Sequence, residues 1–382
     1  MNAIYLDNNA TTPVDARVLE AMLPWFRERF GNASAAYGLG HLSEGAIAQA
    51  RDEVAALVGC DAAELVFNSG GTEGLNHAFR GVFEAFPQKR HFVTTAVEHS
   101  AVHAIGDWLR RQGAEVTVLG VDAQGRLDLA ALEAALRPDT ALLSVMAANN
   151  ETGVLFPMAQ IGRIAKAKGV LFHVDATQAA GKVAVDAKAW GADLLNLSGH
   201  KFHGPKGTGA LFIRRGLRLK PFMLGGHQER GRRGGTENVP GIVGLGKAAA
   251  LAAAHLPDMD RVRSLRDELE AAFLALPDSR VHGAGSDRLP NTSLAAFAGV
   301  EGEALLLRLA ERGVCVSTGS ACTTGQREPS HVLRAMGVED AYAKGTVRFS
   351  LGRETTAEEI GIVKALLPEL VKELRALSPF GK

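Results

Sequence analysis

The chain has 382 residues, 42 Lys plus Arg against 42 Asp plus Glu, and a formal net charge of zero. Its length exceeds the roughly 250–300 residues at which single hydrophobic cores stop growing, so two domains are expected and a solitary binding module is disfavoured. Electrical neutrality leaves no overall field to draw in nucleic acid or an anionic membrane, so an anionic ligand must be held locally.

The N-terminal stretch MNAIYLDNNATTP has no basic region followed by an apolar segment. It does not read as a secretory signal, and the cytoplasm is the expected compartment. Apolar runs such as TALLSVMAA stay below the roughly 20 residues needed to cross a bilayer. Three cysteines are too few for a disulfide framework. Cys60, in ALVGCDAAELVF, reads as a packing residue between a helix and a strand, and Cys315, in LAERGVCVST, as a strand residue behind a helix-ending glycine. Cys322 differs, because STGSACTTGQREPS has the small, polar, glycine-containing composition of a mobile loop that could carry a reactive thiol.

From about residue 60 to 215 short apolar runs alternate with helical patterns. ELVFNSG leads into a helix expected near Gly71, HFVTTAVEH precedes SAVHAIGDWLRRQG, and TALLSVMAANN precedes PMAQIGRIAKAKG. Repeated β-α units of this kind predict a mostly parallel sheet, with ligands gathered beyond the carboxyl ends of its strands. The polar residues that follow or lie near the apolar runs are Thr72, His99, Asn149 and Asn150, Asp175 with Gln178, and then Ser198, His200 and Lys201. After about residue 240 come two alanine- and leucine-rich helices, GIVGLGKAAALAAAHLP and MDRVRSLRDELEAAFLALP. NTSLAAFAG, GVCVS and GTVRFSLG read as strands around EGEALLLRLAERG, and TAEEIGIVKALLPELVKELRAL as the final helix. This second pattern predicts a smaller α/β domain.

Nucleotide-binding signatures are missing: GPKGTG lacks the order of a P-loop, and NSGGTEG is no dinucleotide fingerprint. HSAVH lacks the glutamate of a zincin helix and the cysteines lack close-pair spacing, so no catalytic metal is expected. A pyridine cofactor with a phosphate handle fits better. SGGTE, at a strand end and helix start, can offer backbone N–H groups and the Thr72 hydroxyl to a phosphate, with Ser198 and His200 adding donors. Lys201 could be a solvated side chain, a phosphate ligand or a nucleophile that anchors the cofactor aldehyde as a Schiff base. Asp175 serves equally well as a helix cap or as the carboxylate that keeps a pyridine nitrogen protonated; together with Lys201 it favours pyridoxal phosphate.

The motifs YLDNNATTP, NSGGTE, TTAVEHSAV, NNETG, HVDATQAAG, SGHKFHGPKGTG, RRGGTENV and STGSACTTG, in this order over roughly residues 4 to 355, resemble the NifS/IscS-like cysteine desulfurases. These are fold-type I pyridoxal-phosphate enzymes related to class V aminotransferases. The resemblance implies a large domain on a mostly parallel seven-stranded sheet, residues 15–255, and a smaller α/β domain from residues 1–14 and 256–382. It makes Lys201 the cofactor-bearing lysine and Asp175 the partner of the pyridine nitrogen. His99 is placed over the ring as a proton-transfer residue and Gln178 near the phenolic oxygen. Gly71, Thr72, Ser198 and His200 surround the phosphate, and Thr236 reaches the phosphate of a neighbouring subunit, which implies a homodimer. Asn150 and Arg348 hold the substrate carboxylate; from the residues alone Arg348 reads as a surface arginine, although its charged fork after an apolar strand also suits a carboxylate. Cys322 takes sulfur from L-cysteine as a persulfide, leaving L-alanine, and passes it to an iron–sulfur scaffold or another acceptor protein. A selenocysteine lyase and an aminotransferase are the alternatives.

This chain departs from the family at FGNASAAYG, where Ala33 and Ala35 stand in place of a proline and a serine. A rigid φ and a hydroxyl donor are lost near the site entrance. The end LPELVKELRALSPFGK is shorter than the tail by which housekeeping members are thought to engage the scaffold protein. Arg230, Arg232 and Arg233 lack interleaved aromatics, so a surface role or contact with phosphate or an acidic partner is expected rather than nucleic-acid binding. His227 beside them reads as local structure unless a pocket includes it.

Overall fold

The structure is a computed structural model and describes residues 3–318 and 329–377. In chain order the elements are β1 (Ile4–Tyr5), α1 (Ala16–Met22), α2 (Pro24–Arg27), α3 (Gly38–Val58), β2 (Leu65–Asn68), α4 (Gly71–Ala85), β3 (His91–Thr95), α5 (Ser100–Arg111), β4 (Glu115–Leu119), α6 (Leu129–Ala135), β5 (Thr140–Met146), α7 (Met158–Ala167), β6 (Leu171–Asp175), β7 (Leu194–Ser198) and β8 (Gly209–Ile213). They are followed by α8 (Val239–His255), α9 (Met259–Leu274), β9 (Ser279–Val281), β10 (Thr292–Phe297), α10 (Gly302–Glu311), β11 (Val314–Cys315), α11 (His331–Ala335), α12 (Asp340–Ala343), β12 (Thr346–Ser350) and α13 (Ala357–Leu377).

The large sheet has seven strands in the order β2-β8-β7-β6-β5-β3-β4. Only β8 runs against its neighbours, pairing antiparallel with β2 and β7. The interior strands β3, β5 and β7 are buried at every residue, because a parallel sheet covered on both faces exposes neither set of side chains to water. Phe79, Val82, Val102, Ile105 and Leu109 of α4 and α5 pack one face. The other is covered by α3, α7 and α8 through residues such as Val54, Ile161 and Leu245. The edge strand β4 is half exposed, and its Glu115 is paired with Arg137, the charged edge that discourages further strand pairing.

A three-stranded antiparallel sheet, β12-β10-β9, carries a separate core. Leu269 and Phe273 of α9, Leu305 and Leu309 of α10 and Leu367 of α13 pack on Phe297 and Phe349 there. The short parallel pair β1–β11 joins the N-terminal strand to this part of the chain, and Ile4 and Leu6 belong to its core. One expectation is corrected: Val239–Leu274 contains a segment long and apolar enough to span a bilayer. Half of that segment is buried, and α8 lies against α3 as an all-round apolar core helix.

Candidate active site

Strands β2, β3, β5, β6 and β7 run in one direction, so the polar residues beyond their carboxyl ends meet at one edge of the sheet. His99 caps α5 after β3, Asn150 follows β5, Asp175 ends β6, Ser198 ends β7 and Lys201 follows in a single 3-10 turn.

The Lys201 ammonium donates to the carbonyls of Asn9 and Ala10, both at 2.8 Å. Asp175 is 5% exposed and accepts at Oδ1 from the Thr177 N–H at 3.0 Å and the Asn196 amide at 3.1 Å. Asn196 is set in turn by His173, whose other ring nitrogen meets the Ser144 hydroxyl. Burial holds His173 below the ordinary histidine value, and a neutral ring can bridge one donor and one acceptor. The Asp175 carboxylate is therefore oriented by a fixed chain of polar groups. His99 accepts the Ala101 N–H at Nδ1 (3.2 Å), so the neutral ring carries its proton at Nε2. Burial lowers its pKa, with Asp175 opposing and Lys201 and His331 reinforcing the shift.

An anion cradle lies beside Lys201. It has a volume of about 340 Å³ and is lined by Thr11, Gly70, Gly71, Thr72, Ser198 and His200 together with Lys206. No side chain caps α4, so the N–H groups of its first turn face this space with the positive end of the helix behind them. Gly70 sits at φ +135, and a Cβ there would meet Ser198 Oγ at 3.1 Å. At Gly209 a Cβ would lie 2.5 Å from the Leu197 carbonyl. These two positions keep the walls of the cradle thin. Burial and then the neighbouring Lys201, Lys206 and Lys182 push His200 down to about 4, leaving it neutral. Glu73 also lines the cavity, but Arg233 binds it at 2.9 Å. A phosphate fits this donor set, and a pyridine ring beyond it would reach Asp175, His99, Gln178 and Lys201. The residues present thus suit pyridoxal 5'-phosphate.

Arg348, on β12, is 3% exposed. Its guanidinium donates to the Asn150 carbonyl at 3.0 Å and to Asp7 at 2.8 Å, and its buried Nε has no partner among the described residues. This excludes the surface-arginine reading and leaves a charged fork beside Asn150 for a carboxylate. The Asn150 side chain is half exposed, whereas Asn149 is a local organiser whose Oδ1 accepts the N–H groups of Glu151 and Thr152. Cys322 lies outside the described residues. Ser317, upstream of it, pairs with Arg348 across an isolated bridge, and Ser330, downstream, donates to Glu151 at 2.6 Å. Burial raises Glu151 to about 7. Cys60 is a free thiol pushed up to about 12 by burial, in keeping with a packing role.

Four contributors escaped the sequence reading: Asn9, Lys182, Asn291 and Glu151. Asn9 lies within YLDNNATTP, yet nothing local marks its carbonyl as the rest for both Lys201 and Gln178. The arginine-rich segment is also resolved in detail. Arg233 pairs with Glu73 and Arg230 donates to the Leu65 carbonyl. Glu229 forms a bidentate ion pair with Arg51 at 2.6 and 2.8 Å. Glu229 and Arg230 both have positive φ, a strained pair that the surrounding bonds hold in place. His227 belongs to a pocket after all, lining a cavity of about 540 Å³ with Ala33, Arg51 and Glu237. Thr236 is exposed and is not among the residues lining the cradle of its own chain.

Comparison with known proteins agrees with this geometry. The family model "Aminotransferase class-V" matches residues 4–363. Cysteine desulfurase 2 of Trichormus variabilis is 55% identical over 382 residues, covering 100% of this chain and 96% of that protein. Among solved structures, a NifS-like protein superposes with a TM-score of 0.92 at 38% identity, covering 97% of this chain and 100% of the other. A structure titled "SspA in complex with cysteine" superposes at 0.83 with 35% identity, covering 92% and 100%. The chain belongs to the class V aminotransferase family of fold-type I pyridoxal-phosphate enzymes, within its NifS/IscS-like cysteine desulfurases.

Proposed function

We propose that this enzyme converts L-cysteine to L-alanine and carries the sulfur as a persulfide on Cys322 to an acceptor protein. The observation that carries the residue assignment is the meeting of Lys201, Asp175 and His99 beside an anion cradle, with the Arg348 fork close to Asn150. Bound there, pyridoxal 5'-phosphate supplies an electron sink for negative charge developing at the substrate Cα. Gly71, Thr72, Ser198 and His200 would hold its phosphate, Asp175 its ring nitrogen, Gln178 its phenolic oxygen and Lys201 its aldehyde carbon.

Arg348 and Asn150 bind and orient the substrate carboxylate, the planar guanidinium suiting two parallel N–H bonds. Lys201 Nζ, once it is the free amine, removes the Cα proton; its backbone acceptors at Asn9 and Ala10 keep the nitrogen at the mouth of the site. Burial disfavours the charge of His99, so its ring presents Nε2–H as a hydrogen-bond donor toward the reacting atoms, and it serves proton transfer only after its ring has taken up a proton. The Cys322 thiolate attacks the substrate sulfur, so that the S–S bond forms as the Cβ–S bond breaks, and the electron pair left at Cβ takes up a proton on the way to alanine.

Residues 15–255 form the large domain in this reading, and residues 1–14 with 256–382 the small one. The exposed Thr236 serves the cradle of a second copy, making the enzyme a homodimer with shared sites. The acceptor is a protein of iron–sulfur assembly or another sulfur pathway, in the cytoplasm.

The test mixes purified wild type and Cys322→Ala with L-cysteine, quantifies alanine and weighs the intact protein for one added sulfur. Alanine formation with a persulfide in wild type alone is expected. Equal cysteine turnover in the variant without a persulfide would overturn the role of Cys322 and move the assignment toward another pyridoxal-phosphate lyase, while an α-keto-acid-dependent half-reaction without persulfide would indicate an aminotransferase.

A further inference from the structure

Lys182 is 6% exposed. It makes no ion pair with any carboxylate among the described residues. Its Nζ donates instead to Gln178 Oε1 at 2.7 Å and to Asn9 Oδ1 at 3.0 Å. A methionine of similar length would fill this volume without the cost of burying an amine, so the amine itself has a use.

The two acceptors point to that use. Gln178 donates through Nε2 to the Asn9 carbonyl at 2.9 Å, and the same carbonyl receives Lys201 Nζ at 2.8 Å. Asn9 is further held by Asn291, which donates to its Oδ1 at 3.2 Å, and by Thr292 and the Asn150 carbonyl, which accept from its Nδ2. An amide offers an acceptor at one end and two donors at the other. With Lys182 donating to the oxygen end, the nitrogen end of Gln178 faces the Asn9 carbonyl that also receives Lys201, and it keeps a second N–H to donate. Without Lys182, the Asn9 carbonyl alone would hold the amide in this orientation, and Asn9 Oδ1 would keep only the donor from Asn291.

We propose that Lys182 is a positioning residue for the reaction: its amine sets the amide of Gln178, and the Asn9 carbonyl on which Lys201 rests, in the orientation that the cofactor's phenolic oxygen and Lys201 require. The inference rests on the assignments of Gln178 and Lys201 made above. Burial, then the charges of Lys201 and Arg348, pulls the Lys182 pKa well below the ordinary lysine value; the hydrogen-bond geometry requires only that the nitrogen donate. A donor at the phenolic oxygen favours its ionised form, so losing that donor must raise the pH at which the cofactor's visible band changes.

The experiment titrates the visible absorption of the holoenzyme in wild type, Lys182→Met, Gln178→Ala and the double variant. The expected midpoint rises by about one pH unit in Lys182→Met and no further when that change is added to Gln178→Ala. The kcat falls about tenfold while KM stays within about twofold. An unchanged midpoint with a lower unfolding temperature would make Lys182 merely structural and overturn the proposal; a shift that adds in full to that of Gln178→Ala would overturn the route through Gln178. If Lys182→Met does not fold, Lys182→Gln, which keeps one donor, undergoes the same titration, with a smaller rise expected and no rise counting against the proposal. A wild type with no visible band, and no cofactor mass on Lys201 after borohydride reduction, would instead overturn the underlying assignment of Lys201.

Discussion

Arg348 and Asp7 show how a buried charge is compensated within the fold. The guanidinium is nearly sealed from solvent and uses one arm on the Asp7 carboxylate and the other on the Asn150 carbonyl. Lysine keeps the charge but loses the planar fork. Arg348→Lys is therefore expected to lower kcat/KM for cysteine by about 10- to 100-fold, chiefly through KM, as steady-state kinetics would register. A fall confined to kcat would show that the fork acts after binding. Arg348 was nominated through the family resemblance rather than by GTVRFSLG alone, and its pairing with Asp7 joins residues 341 positions apart and has no local signature. The same holds for Lys182, which reads as one more surface lysine until the fold seals it against Asn9.

At the scale of elements, the cradle depends on two chain segments that approach too closely for side chains. β8 starts at Gly209, where an added Cβ would lie 2.6 Å from the Cα of Gly70. Gly209→Ala is expected to push β8 away from the start of α4, cutting the cofactor content of the purified protein and costing roughly 1–3 kcal/mol of stability. Urea unfolding and absorbance would measure the two effects, and full cofactor content at unchanged stability would count against a tight cradle. The strand–helix alternation around this site was legible because each buried strand is an apolar run bounded by turn residues, and because α4 begins at the Gly71 expected for it. The antiparallel setting of β8 was not legible, since a run of the form GALFI carries no mark of direction.

Over the whole molecule, burial has displaced titratable groups in two opposing directions. His77, His203 and His282 sit near 4, chiefly through burial, and His173 is also lowered. Each stays neutral in the folded state while its unfolded form takes a proton near 6.5. The folded state thus loses stability as pH falls below that value. Burial raises Glu98 to about 8 and Glu151 to about 7. Their contribution is complete below the unfolded carboxyl value and is lost as pH rises through 7 to 8. Between about pH 4.5 and 6.5 the four histidines outweigh the two carboxyls, and from 6.5 to about 8 the loss from two carboxyls exceeds the opposing gain from Lys182, whose lowered pKa favours the folded state as pH rises. The apo-protein's unfolding temperature is accordingly expected to peak near pH 6.5, falling toward about pH 4.5 on one side and toward about pH 8 on the other. A steady rise from about pH 6.5 to 8 would contradict the burial of Glu98 and Glu151.

The sequence by itself determined the family and the cofactor class and nominated most residues assigned to the reaction, because those depend on residue type in ordered local motifs: a lysine after SGH, an aspartate ending an apolar run, a thiol in GSAC. It also determined the β-α alternation, which follows from apolar periodicity and from caps within a few residues. Only the tertiary structure decided how the site is supported. Asn9 meets Gln178, Lys182, Lys201, Thr292 and Ser350, contacts spanning 169 to 341 residues of chain. It also decided which groups are driven from their ordinary ionisation, because desolvation is a property of the packed neighbourhood, and no stretch of sequence carries that neighbourhood within itself.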